Sequence, residues 1–224
     1  MTFAEKAISF YNQLSAGNEL PHSVKTLNPY EQTDVKQIVV QFYEKFYADE
    51  LPRVWIMGIN PGRLGGGTTG ISFTDPVNLQ QYCHINHTFK NTTELSSQFI
   101  YKCINEFGGT DRFFSRFHLG AVYPLALVKE GKNYNYYDSP DVYKALESSM
   151  LEYLKLQVAL GSVKEVICLG QKNYQYLQLL NKQLDLFEQI HVLEHPRFIM
   201  QYKRKEMTEY TKKYVTLWEN LYTG

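Results

Sequence analysis

Hydrophobic residues follow two alternating patterns along the chain. Short apolar runs predict β-strands at 53–57, 121–128, 165–169 and 189–193. Longer stretches with apolar residues at helical spacing predict helices at about 2–15, 32–47, 91–107, 139–160, 173–181 and 205–222. Because strands alternate with helices, we expect a three-layer α/β/α fold around a mostly parallel sheet of about four strands. Neither a linker nor a repeat divides the sequence, which predicts a single domain over residues 1–224.

Local sequence signals predict where several of these elements begin or end. The first helix is expected to end near 17–18, at a Gly-Asn pair. Asn91, with Glu94 three residues later, predicts an N-cap with a capping box. The sequence Ser-Pro-Asp at 139–141 predicts a second helix start, with proline in the first turn. Pro124 predicts a bend within or at the end of the second strand.

Composition and charge narrow the class of protein. The chain of 224 residues is 44% hydrophobic, enough to bury a core, and it has equal numbers of basic and acidic residues, 23 of each. Net charge therefore gives no support for nucleic-acid binding, which would need a local basic patch. The chain has neither a signal-peptide core nor an apolar run of membrane-spanning length. Three widely separated cysteines without a CxxC pair fit a reducing compartment, so we expect a cytoplasmic protein.

Two other clusters each allow a functional and a structural interpretation. Cys83, His84 and His87 could contribute to a metal site, but no fourth ligand is evident, and local packing is the favoured interpretation. The glycine-rich segment 65–70 could bind a phosphate or could simply be a flexible loop. It lacks the Lys-Ser/Thr ending of a P-loop and the spacing of a dinucleotide fingerprint.

Polar residues at two strand ends form the candidate site. Asn60 follows the first strand and His195 follows the fourth, and the carboxyl ends of parallel strands lie at one edge of a sheet. An amide oxygen can accept a hydrogen bond from a water molecule and so orient it. An imidazole can donate a hydrogen bond to the negative charge that develops on a leaving group. This pair suits a hydrolase that releases a resonance-stabilised anion.

The motifs around these residues resemble a known family. Segment 58–62 reads Gly-Ile-Asn-Pro-Gly, and segment 195–197 reads His-Pro-Arg. Further motif residues are Gly65, Thr69, Gly70, Phe73, Pro124, Leu125, Gly131, Lys132 and Asn133. In this order, over residues 53–205, they resemble the uracil-DNA glycosylase superfamily. The pattern is most similar to a bacterial branch of the single-strand-selective monofunctional uracil-DNA glycosylases.

The resemblance implies a role for each site residue. Asn60 would position the water that attacks the sugar C1′, and His195 would stabilise the departing uracil anion. Three residues would contact the base: Ile59 and Gly62 through backbone N–H groups, and Phe73 by stacking. Four cations would contact DNA: Arg63, Arg197, Lys203 and Arg204. An apolar residue after His195 would wedge into the base stack. Taken alone, Asn60 is an ordinary turn residue and Phe73 a core residue, and only the ordered match favours function.

Two positions bear on which base is bound. Gly62 stands where the highly uracil-specific branch has a bulky tyrosine, and we expect it to leave space for 5-substituted uracils. Ala121 stands where family members have an Asn that contacts the Watson–Crick edge of uracil. Alanine cannot make that contact, so either another group, such as Asn133, does so or base selectivity differs.

The sequence thus predicts a monofunctional DNA glycosylase that hydrolyses the N-glycosidic bond of uracil, with 5-modified or other deaminated bases as further candidates. It would act as a monomer on single- or double-stranded DNA, without a metal or cofactor, and leave an abasic site. An alternative is a DNA-binding damage sensor with the same fold and no excision activity. A third is an α/β protein that binds a free nucleotide at the glycine-rich segment.

Overall fold

The structure, a computed structural model, describes residues 1–16 and 19–223. Four parallel strands form the central sheet: β2 (Arg53–Gly58), β3 (Phe117–Ala121), β6 (Ser162–Leu169) and β7 (Gln189–Leu193). Their order is β3-β2-β6-β7, with β2 paired to β3 on one side and β6 on the other. All six residues of β2 are buried, as expected for an inner strand of a parallel sheet. The predicted four-stranded parallel sheet is confirmed.

Helices flank this sheet and connect its strands. They are α1 (Phe3–Gln13), α2 (Thr33–Phe46), α3 (Gly66–Thr69), α4 (Pro76–Gln81), α5 (Leu95–Phe107), α6 (Thr110–Phe114), α7 (Pro140–Ala159), α8 (Gln171–Leu184), α9 (Pro196–Tyr202) and α10 (Met207–Thr223). Short 3₁₀ turns lie at Pro21–Ser23, Pro29–Glu31 and Arg204–Glu206. The short α3 replaces the predicted loop at 65–70. None of the helices in the described residues is long and apolar enough to cross a membrane.

A second, antiparallel sheet was missed by the sequence pattern. It contains β1 (Lys25–Leu27), β4 (Ala126–Lys129) and β5 (Lys132–Tyr134), in the order β1-β4-β5. The predicted strand at 121–128 is therefore wrong, because the chain leaves the central sheet at the end of β3 and enters the second sheet at β4. The bend lies around Pro124, as predicted. Proline has no N–H to donate to a ladder, which favours a break there.

The structure tests two of the three predicted helix boundaries, the starts at 91 and at 139–141. The capping box is wrong: α5 begins at Leu95, its N-cap is Glu94, and no side chain caps it. The start at 139–141 is confirmed in position, with Pro140 in the first turn of α7, although the Ser139 side chain makes no capping bond. The helix end predicted at 17–18 lies outside the described residues, although α1 itself ends at Gln13.

Cys83 and His87, two members of the Cys-His cluster, contact different residues. The Cys83 thiol is buried and lies 3.1 Å from the Tyr101 hydroxyl. The His87 Nε2 lies 2.7 Å from the Pro76 carbonyl oxygen. The described residues contain no group of three or more His, Cys, Asp or Glu side chains placed to hold a metal ion. The packing interpretation fits these contacts.

An aromatic cluster buries a histidine beneath the central sheet. The His118 ring lies 4.2 Å from the Trp55 ring and within 6 Å of the rings of Phe3, Tyr43 and Tyr47. Neither ring nitrogen has a hydrogen-bond partner in the described part of the chain. Burial, together with the nearby Arg53 charge, lowers the pKa of His118 to about 3. This histidine is therefore neutral in the folded protein near neutral pH.

Candidate active site

A pocket of about 300 Å³ opens at the carboxyl ends of β2 and β7. Asn60 follows β2, and His195 follows β7, and both line this pocket. The other predicted base-contacting residues, Ile59, Gly62 and Phe73, line it as well. Its size is at the lower end of small-ligand sites, about 300–1,000 Å³. The structure therefore brings together side chains that are 135 positions apart in the sequence, between residues 60 and 195.

The Asn60 side chain is held by backbone groups on both sides of its amide. Its Nδ2 donates to the Tyr134 carbonyl oxygen at 3.0 Å, and its Oδ1 accepts from the Tyr136 N–H at 3.2 Å. A flipped amide would place donor against donor and acceptor against acceptor, so the network fixes the orientation. Tyr136 is itself anchored, since its hydroxyl donates to the Asn173 Oδ1 at 2.7 Å. Asn60 is thus a preoriented amide with one oxygen lone pair still available.

The His195 side chain is half-buried and serves as the N-cap of α9. Its Nδ1 accepts a hydrogen bond from the Arg197 N–H at 3.2 Å. Burial, and then the Arg197 charge, lower the pKa of His195 to about 4. The imidazole is therefore neutral near neutral pH, and its proton lies on Nε2 because Nδ1 is an acceptor.

The Phe73 ring is placed by a strained turn. Its φ of 56° lies in the left-handed region, which costs an aromatic residue about 1–3 kcal/mol. The Thr69 hydroxyl holds this turn: it donates to the Thr74 carbonyl oxygen at 2.7 Å and accepts from the Ile71 N–H at 3.1 Å. A Cβ at Gly58 would lie 2.6 Å from the Phe73 Cζ, so the ring rests on a glycine. The ring centroid is 6.2 Å from that of His195.

The space beside Gly62 is occupied. A Cβ built on Gly62 would lie 1.6 Å from the Glu94 Oε1, and one built on Gly65 would lie 2.2 Å from the Glu94 Oε2. The Glu94 carboxyl therefore fills the side of Gly62 on which a side chain would lie, and the fit of a 5-substituted uracil beside this glycine stays a prediction. The capping-box prediction failed for the same reason, since this side chain covers the two glycines instead of capping α5.

The predicted DNA-contacting cations occupy different surroundings. Arg63 and Arg197 are exposed and line a second groove of about 260 Å³, together with Lys132. The Lys203 ammonium is paired with the Glu206 carboxylate at 3.0 Å, which raises the pKa of that lysine. Arg204 is exposed at the start of a 3₁₀ turn. A cationic groove thus adjoins the pocket, and Glu94 and Asn133 line both cavities.

Sequence reasoning missed several residues that line the pocket. The side chain of Ala121 does line it, as the position of the missing Asn requires. Asn133, the suggested substitute, has its Oδ1 bonded to the Arg63 N–H at 3.0 Å. Also in the lining, and not predicted, are Pro61, Ser72, Glu94, Ser96, Asn135, Tyr137, Gln201 and Tyr202. Of these residues, Glu94 is the one that the sequence makes noticeable, because it is an acid between a polar segment and an apolar helix.

Comparison with known proteins identifies the family. The model of the uracil-DNA glycosylase superfamily matches residues 44–221 of this chain. This chain belongs to that superfamily. The crystal structure of wild-type SMUG2 from Pedobacter heparinus is similar over its full length: 42% of residues are identical, the TM-score is 0.94, and 100% of each chain is covered. Curated proteins, in contrast, give no match.

As a uracil-DNA glycosylase of the SMUG type, the chain is a hydrolase of N-glycosyl bonds that acts on DNA in repair. The α/β fold predicted from the sequence is that of the matched structure. The family that the motifs suggested is confirmed by a match covering most of the chain.

Proposed function

We propose that this glycosylase excises uracil and related deaminated bases from single- or double-stranded DNA and leaves an abasic site. It acts as a monomer and monofunctionally, with water as the nucleophile. A cytoplasmic location is supported by three buried cysteines that remain free thiols. The observation that carries the proposal is the convergence on one pocket of a preoriented amide and a neutral imidazole.

The water is positioned by the Asn60 amide. Its Oδ1 already accepts the Tyr136 N–H, and the second lone pair can accept a hydrogen bond from a water molecule. That water attacks the sugar C1′ as the bond between C1′ and the base nitrogen breaks, and the bonding electrons leave with the base. A proton is released from the water to solvent. No lysine is among the described residues that line the pocket, which favours water over an amine nucleophile.

The leaving group is stabilised by His195. With Nδ1 occupied by the Arg197 N–H, the Nε2–H is the donor available to the base carbonyl oxygen. A neutral donor in a partly desolvated site can stabilise the developing anion without transferring a proton. The lowered pKa of about 4 keeps the imidazole in this form across the neutral range.

The energy of base flipping is offset by aromatic contacts and by cations. Extruding a base from a duplex costs a few kcal/mol, and less from single strands. Stacking on an aromatic ring contributes about 1–3 kcal/mol per base. Phe73 lines the pocket and is the proposed stacking platform. Phe198, with 42% of its surface exposed, follows His195 and is the candidate wedge. Arg63 and Arg197, which line the adjoining groove, contact the flanking phosphates in this proposal.

The test is a gel assay that detects abasic sites by alkaline cleavage. Single- and double-stranded oligonucleotides with one uracil are incubated with wild type, Asn60→Ala and His195→Ala, with no added metal. Cleavage by wild type that falls about 100-fold or more in both variants supports the assignment. Wild-type cleavage with undiminished variants would refute the roles given to these two residues.

A non-catalytic damage sensor is the second candidate. Ala121 favours it, since an apolar side chain stands in the pocket wall where a base-contacting amide was expected. Binding to uracil-containing DNA without any excision of uracil, xanthine, hypoxanthine or 5-hydroxymethyluracil would establish the sensor in place of the enzyme.

A further inference from the structure

Glu94 is held at the pocket by a buried carboxylate. Its backbone N–H donates to the Asp75 Oδ2 at 2.9 Å, and the Asn78 N–H donates to the Asp75 Oδ1 at 2.8 Å. Asp75 is fully buried, so these bonds join the start of α4 to the residue that precedes α5. Such a pair of charge-assisted bonds is strong and directional. The backbone of Glu94 therefore has a fixed position beside the pocket.

The Glu94 side chain also has a site built for it. Both of its carboxyl oxygens lie against glycines, at Gly62 and Gly65, and any Cβ there would come within 1.6 and 2.2 Å of them. Any residue with a Cβ in place of either glycine would therefore displace the Glu94 carboxyl. Among the described residues that line the pocket, Glu94 alone carries a carboxyl group.

This carboxyl has unused hydrogen-bonding capacity. Its one side-chain partner in the described residues is the Asn133 Nδ2, which donates to Oε1 at 3.4 Å, and no salt bridge is formed. Burial raises the pKa of Glu94; the Asn133 bond lowers it, the Asp75 charge raises it, and Arg197 and Arg63 lower it. The neutral form is thus favoured relative to a carboxyl in water. In the neutral form the proton belongs on Oε2, because Oε1 accepts the Asn133 N–H.

Each asparagine amide in the pocket wall is already held by hydrogen bonds. Asn60 is bonded through both amide atoms, and the Asn133 oxygen accepts the Arg63 N–H. Asn135 is tied to Asp138 through its backbone N–H at 2.9 Å and its Nδ2 at 3.3 Å. Ala121 offers a methyl group. The edge of a bound base can therefore meet Glu94, a wall side chain whose oxygens have acceptor capacity left.

We propose that Glu94 recognises the imide edge of the flipped base: Oε1 accepts the ring N–H, and the protonated Oε2 donates to the adjacent base carbonyl. The inference rests on the proposed glycosylase function. A neutral carboxyl presents the same donor and acceptor pair as a primary amide, so it replaces the amide that Ala121 lacks. The substrate class is that of bases with a ring N–H beside a carbonyl, which includes uracil, xanthine and hypoxanthine.

The experiment compares kcat/KM on a uracil-containing oligonucleotide for wild type, Glu94→Gln and Glu94→Ala. Glutamine retains the donor and acceptor pair, so Glu94→Gln is expected to stay within a few-fold of wild type. Alanine removes both groups, and kcat/KM is expected to fall about 10- to 100-fold. Glu106→Gln, at the other end of α5 and outside the pocket, is the matched control and should leave kcat/KM unchanged. Equal activity of Glu94→Ala and wild type, or an equal loss in both variants, would overturn the proposal.

The pH dependence tests the protonation state. Deprotonation removes the Oε2 donor in wild type but cannot occur in Glu94→Gln. The ratio of the variant's kcat/KM to that of wild type should therefore rise from acidic to alkaline buffer, and a constant ratio would overturn the neutral-carboxyl assignment.

A binding measurement separates this inference from the proposed function. In the His195→Ala background, affinity for a uracil-containing strand is compared with that for the same strand carrying cytosine, whose N3 is unprotonated and whose C4 carries an amino group, with and without Glu94→Ala. Loss of uracil preference on adding Glu94→Ala supports base recognition even if wild type shows no excision. Excision by wild type together with unchanged preference in the Glu94→Ala background would refute the role of Glu94 and leave the enzyme assignment intact.

Discussion

Asn60 is expected to contribute to stability as well as to catalysis. Its amide joins the end of β2 to the segment that leaves β5, through bonds of 3.0 and 3.2 Å to Tyr134 and Tyr136. Each bond contributes about 1 kcal/mol, and the two partly buried backbone groups left behind in Asn60→Ala add to the cost. The sum is about 2–3 kcal/mol. For a chain of this size, that lowers Tm by about 4–12 °C.

His195→Ala provides the internal comparison. Its side chain makes one hydrogen bond, to the Arg197 N–H, so its loss costs about 1 kcal/mol as for other N-caps. Both variants lose excision activity, but Asn60→Ala should be the less stable by about 1–2 kcal/mol. Asn60→Asp keeps an acceptor for Tyr136 but turns an oxygen toward the Tyr134 carbonyl, so it should be destabilised most when the carboxyl is ionised.

Thermal and urea unfolding followed by circular dichroism give these differences directly. Activity is measured well below the Tm of the weakest variant, so that unfolding does not contribute. The reasoning is refuted if Asn60→Ala is as stable as wild type, or no less stable than His195→Ala. Either result would mean that the amide is not held by the backbone around β5.

Three further predictions follow from other contacts. Gly58→Ala would place a Cβ 2.6 Å from the Phe73 ring, so kcat/KM should fall about 10-fold as stacking is lost, and unchanged kinetics would contradict this placement. His118 has a folded pKa of about 3, below its unfolded value of about 6.5. The unfolded state therefore takes up the proton first, and stability should fall as pH drops from about 6.5 toward 3. Unfolding across this range should show a smaller fall for His118→Phe. Arg63→Ala and Lys132→Ala should each reduce the salt dependence of DNA affinity by about one charge, whereas Lys155→Ala, outside both grooves, should not.

The central sheet was predictable because its strands are short apolar runs between amphipathic helices. The strand at 189–193 was predicted with its correct bounds, and β2 to within one residue. The second sheet was not predictable, because its three-residue strands β1 and β5 are too short and polar to show a period. The predicted strand at 121–128 merged β3 and β4 because an apolar run continues through the bend.

The proposed catalytic pair, Asn60 and His195, was accessible from sequence because strand-end positions and motif order both pointed to it. Many of the other residues that line the pocket could not be predicted from the sequence. Glu94 is held at the pocket because its carboxyl packs against Gly65 and Gly62, which lie 29 and 32 positions earlier. No local sequence pattern encodes that contact. Its spacing from Asn91 instead imitated a capping box, which shows how a local motif can be overridden by a tertiary contact. Likewise, the pairing of Lys203 with Glu206 is invisible in a simple count of basic residues.

The attachment of Asn60 to the small sheet makes activity conditional on complete assembly. The ladders of the central sheet include no residue of β4 or β5, whereas the Asn60 amide takes both of its backbone partners from β5 and the segment that follows it. A molecule whose hairpin of β4 and β5 is displaced loses both bonds and, under the proposed mechanism, the oriented water. The hairpin is therefore as much a part of the proposed active site as the strand that carries Asn60.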